Sequence, residues 1–306
     1  DGKTKDEVVD DIHSYQNEAD IPLLIGVDEE GGTVVRVSSN PNLRETPFLS
    51  PKDTYADGGW DAVKQDAEEK ADLLLSLGIN VNLAPVCDMT SDEYGFMYDR
   101  SFSSDVDMEN RYVRTVVETS KSKKLGTVLK HFPGYGNNSD THTGIAYDDR
   151  DYSEFENTDF KPFYQGIESG ADCILVSHNI VNCMDSEYPA SLSQKVHDIL
   201  RNEFKFDGVI MTDDLIMDAI TDFTGDEAAA VTAAKCGNDL LCCSSVDTQY
   251  PAVLEAVQNG EIPETQVDAS VKRILKWKQN LGIFNIDTYQ KKVKSTEPTD
   301  TVGSEE

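Results

Sequence analysis

The segment from Lys130 to His142, KHFPGYGNNSDTH, places a lysine and a histidine ahead of a loop rich in glycine and asparagine that ends on Asp-Thr-His. An imidazole such as that of His142 can carry a proton near neutral pH, and a carboxylate two residues away, Asp140, can fix its tautomer and raise its basicity. The pattern therefore predicts an acid/base dyad of Asp140 and His142. The same spacing also fits a surface Asx turn with an exposed histidine.

A second pattern, VIMTDDLIMDAI, puts Asp213 and Asp214 directly after an apolar run and before a helical pattern. One carboxylate is predicted to face the reacting centre, and the other to cap the following helix, where its charge meets unpaired amide groups. The alternative is that both carboxylates have only structural roles.

Six short apolar runs predict buried parallel strands, and seven helical patterns alternate with or follow them. The strands are expected at 21–27, 80–86, 126–131, 173–178, 209–212 and 239–243, and the helices at 61–77, 108–123, 160–169, 193–202, 227–236, 250–259 and 264–281. Alternation at this length indicates βαβ units, which either a β/α barrel or a doubly wound sheet can contain.

Polar residues at the carboxyl ends of these strands favour the barrel. They are Asp28, Asp88, Lys130, His131, His178, Asp213 and Asp214. A barrel gathers all its strand ends around one opening, here called the mouth, whereas an open sheet spreads them along a line. We therefore expect one TIM-type (β/α)8-like barrel domain over residues 1–286, incomplete in its number of units; the family resemblance described below implies that the first β/α unit is the one missing or trimmed. Residues 287–306 lose apolar periodicity and predict a disordered polar tail.

The composition excludes several classes of protein. Fifty-seven acidic against 27 basic residues give a net charge of -30 and a pI near 4.3, which disfavours nucleic acid as a partner. The six cysteines show no zinc-site spacing, and no apolar stretch reaches membrane-spanning length. We expect a monomer without metal or cofactor. The acidic surface and polar tail favour an extracytoplasmic or cell-surface location, with the cytoplasm as the alternative.

Six sequence blocks resemble family 3 glycoside hydrolases, in particular the β-N-acetylglucosaminidases. In chain order the blocks are IPLLIGVDEEGGTVVRV, LGINVNLAPVCDM, DRSFSSD, KHFPGYG with DTH, VSHNIV and GVIMTDDLIM, and the likeness runs from Ile21 to Phe284. The resemblance implies cleavage of β-linked N-acetylglucosamine, for example from peptidoglycan fragments, with a carbohydrate as the binding partner.

The resemblance also implies roles for individual residues. Asp213 corresponds to the nucleophile of a retaining mechanism, and His142 assisted by Asp140 to its acid/base. The residues expected to bind the terminal sugar are Asp28, Arg100, Lys130 and His131, with Arg36, Asp88 and His178 as further lining positions. A cation-rich pocket of Arg100, Lys130 and His131 would lower the pKa of the nucleophilic carboxylate. Because a neutral imidazole repels an anion less than a carboxylate does, phosphate is an alternative acceptor to water.

Two departures from the family pattern keep other functions open. Tyr135 stands where the family usually has histidine, and Asn137-Asn138 replaces the more usual Asp-Thr. Only about twenty residues precede the Ile21 block, where the family has a first strand and helix. A catalytically silent glycan-binding barrel is therefore one alternative, and a metal-dependent hydrolase using His131, His142, His178 and Asp213 is another.

Overall fold

A parallel β-sheet forms the centre of the computed structural model, which describes residues 2–138, 141, 144–224 and 226–290. The strands in chain order are β1 (Gly26–Val27), β2 (Val81–Asn82), β3 (Gly126–Phe132), β4 (Tyr147–Asp148), β5 (Cys173–Val176), β6 (Ile180–Val181) and β7 (Val209–Thr212). Five of them pair in the order β1-β2-β3-β5-β7, all parallel, while β4 and β6 pair separately. The strand predicted at 239–243 is present only as a parallel bridge between Leu240 and Met211.

The helices in chain order surround this sheet. They are α1 (Lys5–Glu18), α2 (Pro51–Ser76), α3 (Val106–Lys123), α4 (Tyr152–Asn157), α5 (Phe160–Ser169), α6 (Gln194–Asp198), α7 (Asp218–Thr224), α8 (Asp226–Lys235), α9 (Val246–Gln258) and α10 (Glu264–Asn280), with a π-helical turn at Ile199–Glu203 after α6. In the described part of the chain, none of them is both long and apolar enough to cross a bilayer.

Alternating side chains divide the strands between two apolar clusters. Val128 of β3 packs with the inward residues of β2, β5 and β7, whereas Leu129 points outward against the helices. Leu24 before β1 and Leu240 beyond β7 lie at opposite ends of the strand order, yet both pack on the inner cluster. The sheet is therefore curled around that cluster, and the prediction of a TIM-barrel-like α/β fold is confirmed.

Helix α10 closes the amino end of the sheet. Its Trp277 is 3% exposed and packs with Val81 and Val128. A Cβ atom on Gly126 would lie 3.0 Å from Cζ2 of Trp277, so the indole ring occupies space that a side chain at the start of β3 would need. The inner cluster is thus covered at the end opposite the mouth.

Some helix boundaries differ from the sequence expectations. Helix α1 was not predicted, although Thr4 and Glu7 form a capping box at its start. Helix α2 begins at Pro51, ten residues earlier than expected, and kinks where Gly58 and Gly59 leave helical geometry. Residues 286–290 are helical at the start of the predicted tail, whereas 291–306 lie outside the described residues.

Candidate active site

Four charged side chains form a cluster at the mouth, in which Asp28 is partly exposed and the other three are largely buried. The Lys130 ammonium at the end of β3 lies 2.5 Å from Asp28 Oδ1 and 2.6 Å from Glu30 Oε1. The Arg100 guanidinium donates two hydrogen bonds to Glu30, of 2.9 Å from Nε and 2.8 Å from Nη2. Two carboxylates and two cations therefore balance in charge, and burial makes their mutual orientation strongly determined.

Glu30 is the member of this cluster that the sequence analysis missed. Its side chain is 2% exposed. Burial raises the pKa of Glu30, but Lys130 and Arg100 outweigh that effect and lower it to about 2. Glu30 is therefore ionised throughout the physiological pH range, and both cations share it as a partner.

The Glu-Glu-Gly-Gly turn after β1 explains how Glu30 faces inward. Glu29 is fully buried and accepts hydrogen bonds from the backbone N–H groups of Arg36 and Val37, at 3.0 and 2.7 Å. Gly31 has a φ of +104°, and a Cβ there would lie 2.2 Å from the Leu49 carbonyl oxygen, so only glycine fits. Glu29 thus holds the turn while Glu30 reaches the cations.

Asp88 orients His131. One Asp88 oxygen accepts from the His131 backbone N–H at 2.9 Å and lies 2.7 Å from Nδ1, while the other accepts from Tyr135 N–H at 2.7 Å. His131 Nε2 lies 3.2 Å from Arg100 Nη2. Because a guanidinium only donates, Nε2 must accept, and the ring proton is on Nδ1. The ring is thereby held between Asp88 and Arg100.

Asp213 follows β7 and receives a hydrogen bond from Asp214 N–H to Oδ1 at 2.9 Å. Burial raises the pKa of Asp213, but His178 and His131 in their protonated forms, the Asp214 amide and Lys130 together lower it below its ordinary value. Asp213 is thus an ionised carboxylate at the mouth, as a nucleophile requires.

Asp214 does not cap α7, contrary to expectation. Its Oδ1 accepts from the N–H groups of Ile216 and Ser244, each at 3.2 Å, and Oδ2 accepts from the Ser244 hydroxyl. Helix α7 begins only at Asp218, too far along the chain for such a cap. Asp214 instead ties the loop after β7 to the segment that follows Leu240.

His178 lies beside Asp213, whereas Arg36 forms no ion pair with the charged cluster among the described residues. The His178 ring is buried, with Nδ1 2.7 Å from Ser191 Oγ and Nε2 3.0 Å from the Asp214 carbonyl oxygen. Its position beside the Asp213 loop fits a supporting role. Arg36 is exposed, and its guanidinium donates to the Val35 carbonyl at 3.4 Å rather than to the charged cluster.

The loop after β3 is fixed at its base. The Tyr135 hydroxyl lies 2.6 Å from Thr141 Oγ1, and both residues are buried. Arg150 pairs with Asp148 and Asp159 at 2.8 and 3.0 Å and donates to the Gly134 carbonyl at 3.3 Å. Asp140 and His142, the predicted dyad, lie outside the described residues.

The described residues contain no group of side chains arranged as metal ligands. Within 2–138, 141, 144–224 and 226–290, no group of three or more His, Cys, Asp or Glu side chains is arranged to hold a metal ion. His131 and His178 are each engaged with hydrogen-bonding partners instead. The described part of the mouth thus provides carboxylates and cations rather than a metal centre.

A curled parallel sheet with charged residues gathered at the carboxyl ends of its strands is the arrangement of a barrel enzyme. Comparison with known proteins defines the family. The model for the glycosyl hydrolase family 3 N terminal domain matches residues 2–277. A beta-hexosaminidase of Hydrogenovibrio crunogenus is 34% identical over 240 residues, which are 77% of this chain and 67% of that protein. The chain therefore belongs to glycoside hydrolase family 3, as its sequence blocks indicated.

Two longer proteins show how much of a relative the chain spans. Beta-hexosaminidase A of Pseudoalteromonas piscicida is 30% identical over 293 residues, which are 88% of this chain and 49% of that protein. The structure of a glycoside hydrolase family 3 beta-N-acetylglucosaminidase from Paenibacillus sp. superposes with a TM-score of 0.86 at 30% identity, covering 92% of this chain and 55% of that one. The chain thus spans about half the length of these two relatives.

Proposed function

We propose that this protein is a retaining β-N-acetylglucosaminidase that removes terminal N-acetylglucosamine from β-linked glycans such as peptidoglycan fragments. The observation that carries the proposal is Asp213, a carboxylate directly after β7 whose pKa is lowered below its ordinary value by His178, His131 and, to a smaller extent, Lys130. The names of the family relatives, beta-hexosaminidase and beta-N-acetylglucosaminidase, supply the sugar.

In this proposal the charged cluster binds the terminal sugar. Lys130 and Arg100 donate to its hydroxyls, while Asp28 accepts from them, so that the ring is held by both kinds of group. His131 is fixed by Asp88 and can present its ring edge in a single orientation. Positioning of this kind can contribute several kcal/mol to the lowering of the activation barrier.

The reaction then proceeds in two steps. Asp213 attacks the anomeric carbon while His142 gives a proton to the leaving oxygen, which forms a glycosyl-enzyme ester. His142 next removes a proton from water, and that water displaces Asp213 with the anomeric configuration of the substrate restored. Asp140 is assigned the role of fixing the tautomer of His142.

Water is favoured over phosphate as the acceptor. Lys130 and Arg100, the two cations of the charged cluster, already have carboxylate partners in Asp28 and Glu30. A phosphate dianion entering beside these carboxylates would be repelled by them. We therefore propose hydrolysis, with release of the free sugar.

The test is release of p-nitrophenol from p-nitrophenyl N-acetyl-β-D-glucosaminide, with the corresponding β-glucoside as the comparison substrate. Asp213→Asn should lower kcat on the order of 10⁴-fold. Asp218→Asn, at an exposed acid in the first turn of α7, is the matched control and should keep wild-type activity. Proton NMR of the first product should show the β-anomer. A folded wild type that cleaves neither substrate would favour the silent glycan-binding barrel.

A further inference from the structure

Glu30 occupies an unusual position between the two cations of the mouth. Lys130 is 3% exposed and Arg100 14% exposed, and both lie within 2.9 Å of Glu30 carboxylate oxygens. Two buried cations repel each other unless an anion separates them. Glu30 supplies that anion from the turn after β1, while Lys130 comes from β3 and Arg100 from the loop that follows Asp88.

The backbone of Glu30 is held from behind. Lys70 of α2 donates to the Glu30 carbonyl oxygen at 2.9 Å and to Asp66 Oδ2 at 2.6 Å. Glu29 fixes the backbone on the other side of the turn by accepting from Val37 N–H at 2.7 Å. The turn that presents the Glu30 side chain to the two cations is therefore fixed by contacts within the chain.

We propose that Glu30 is a positioning residue for the reaction, which holds Lys130 and Arg100 at a fixed separation for the sugar hydroxyls and keeps Lys130 protonated. This inference rests on the proposed glycosidase function. The carboxylate oxygens of Glu30 are already paired with Lys130 and Arg100, so Glu30 acts on the sugar through these two cations.

The charge on Lys130 depends on its surroundings. Burial lowers the pKa of Lys130, but Glu30 and Asp28 more than offset that effect and raise it above its ordinary value, while Arg100 acts in the opposite direction. Asp213 after β7 also faces this group, and His131 contacts Arg100. Without the Glu30 charge, the effects of burial and of Arg100 on Lys130 are opposed by less negative charge, so the pKa of Lys130 falls.

Two substitutions separate the effect of the Glu30 charge from the effect of its side-chain length. Glu30→Gln removes the charge and turns an N–H donor toward one of the cations, whereas Glu30→Asp keeps the charge but shortens the side chain by one methylene. Glu109→Gln is the matched control: Glu109 is also fully buried, but it lies outside the charged cluster, accepts from the Ser103 N–H at 2.9 Å, and burial raises its pKa well above the ordinary value.

The experiment measures kcat and KM on p-nitrophenyl N-acetyl-β-D-glucosaminide from pH 5 to 11, with circular dichroism to confirm folding. Glu30→Gln should lose about 10²-fold in kcat/KM, and Lys130 should deprotonate at least about one pH unit lower than in the wild type, which brings its alkaline limb into the measured range. Glu30→Asp should raise KM about 10-fold with the alkaline limb unmoved. Glu109→Gln should match the wild type.

The outcomes distinguish this inference from the proposed function. If the wild type does not cleave the substrate, the proposed function is rejected, and calorimetric binding of N-acetylglucosamine to the same variants then replaces turnover as the readout. A Glu30→Gln profile and KM that coincide with those of the wild type would overturn the positioning role. Should that variant not fold, an unchanged KM in Glu30→Asp overturns it equally.

Discussion

Replacing Asp88 with asparagine should destabilise the protein more than the exchange of one carboxylate oxygen for an amide nitrogen suggests. Asp88 is 1% exposed and accepts from His131 N–H, His131 Nδ1–H and Tyr135 N–H. An asparagine has a single acceptor oxygen, so its amide must face one of these donors. With the carbonyl turned toward His131, the amide N–H points at Tyr135 N–H, and neither group is satisfied.

The magnitude follows from these three bonds. Losing one hydrogen bond to a charged acceptor costs about 2 kcal/mol, and replacing charge assistance in the other two costs about 1 kcal/mol each. The free energy of unfolding should thus fall by about 4 kcal/mol. For a domain of this size, that corresponds to a decrease in Tm of roughly 8 °C, at about 2 °C per kcal/mol.

Thermal unfolding of Asp88→Asn followed by calorimetry measures this loss. The matched control is Asp92→Asn in the same loop, where the side chain accepts from a single backbone N–H, that of Tyr94 at 3.0 Å, and an asparagine oxygen can do the same. The control should unfold within about 0.5 kcal/mol of the wild type. If Asp88→Asn also unfolds within that range, Asp88 is not a charged acceptor for His131 and Tyr135.

Three further outcomes are expected. Tyr135→Phe leaves the buried Thr141 hydroxyl without its 2.6 Å partner and should lower the free energy of unfolding in urea by about 1–2 kcal/mol. If the losses caused by Tyr135→Phe and Thr141→Val simply added in the double variant, the hydrogen bond between the two side chains would be contradicted. Gly166→Ala puts a Cβ 2.5 Å from Leu129 Cδ1, where α5 meets β3, and should lower stability by about 1–3 kcal/mol in the same assay. The pKa of Glu30 in the folded protein is about 2, below its ordinary value of 4.5. The contribution of ionised Glu30 to the free energy of unfolding is therefore complete above pH 4.5 and disappears as the pH falls from 4.5 to about 2. The stability difference between wild type and Glu30→Gln should therefore shrink from pH 5 to pH 2, and a constant difference would refute that pKa.

The order of strands and helices could be predicted because apolar runs and helical periods are local properties of the sequence. Helix α1 has its own local signal, the capping box of Thr4 and Glu7, but its polar composition hid it. The early start of α2 was obscured by Gly58 and Gly59, which interrupt the helical pattern without ending the helix. The segment after α8 has a strand-like sequence, but only Leu240 forms a bridge.

The site was predictable where a residue type marks the end of a strand. Asp28 and Asp213 follow strands that are visible in the sequence, Lys130 lies near the carboxyl end of another, and all three lie at one mouth. Glu30 was missed because nothing in the sequence distinguishes it from Glu29. The choice between these two carboxylates depends on the glycine turn and on which backbone N–H groups lie nearby, and both are properties of the folded chain.

The indole of Trp277 beneath Gly126 has a consequence for the order in which the chain is made. Synthesis proceeds from the amino terminus, so every strand of the sheet leaves the ribosome before α10 does. Until that helix emerges, the inner apolar cluster has no cover at its amino end. The inner faces of these strands therefore stay without the α10 cover throughout the synthesis of α7, α8 and α9, and exposed apolar surface of this kind makes a nascent chain prone to aggregation.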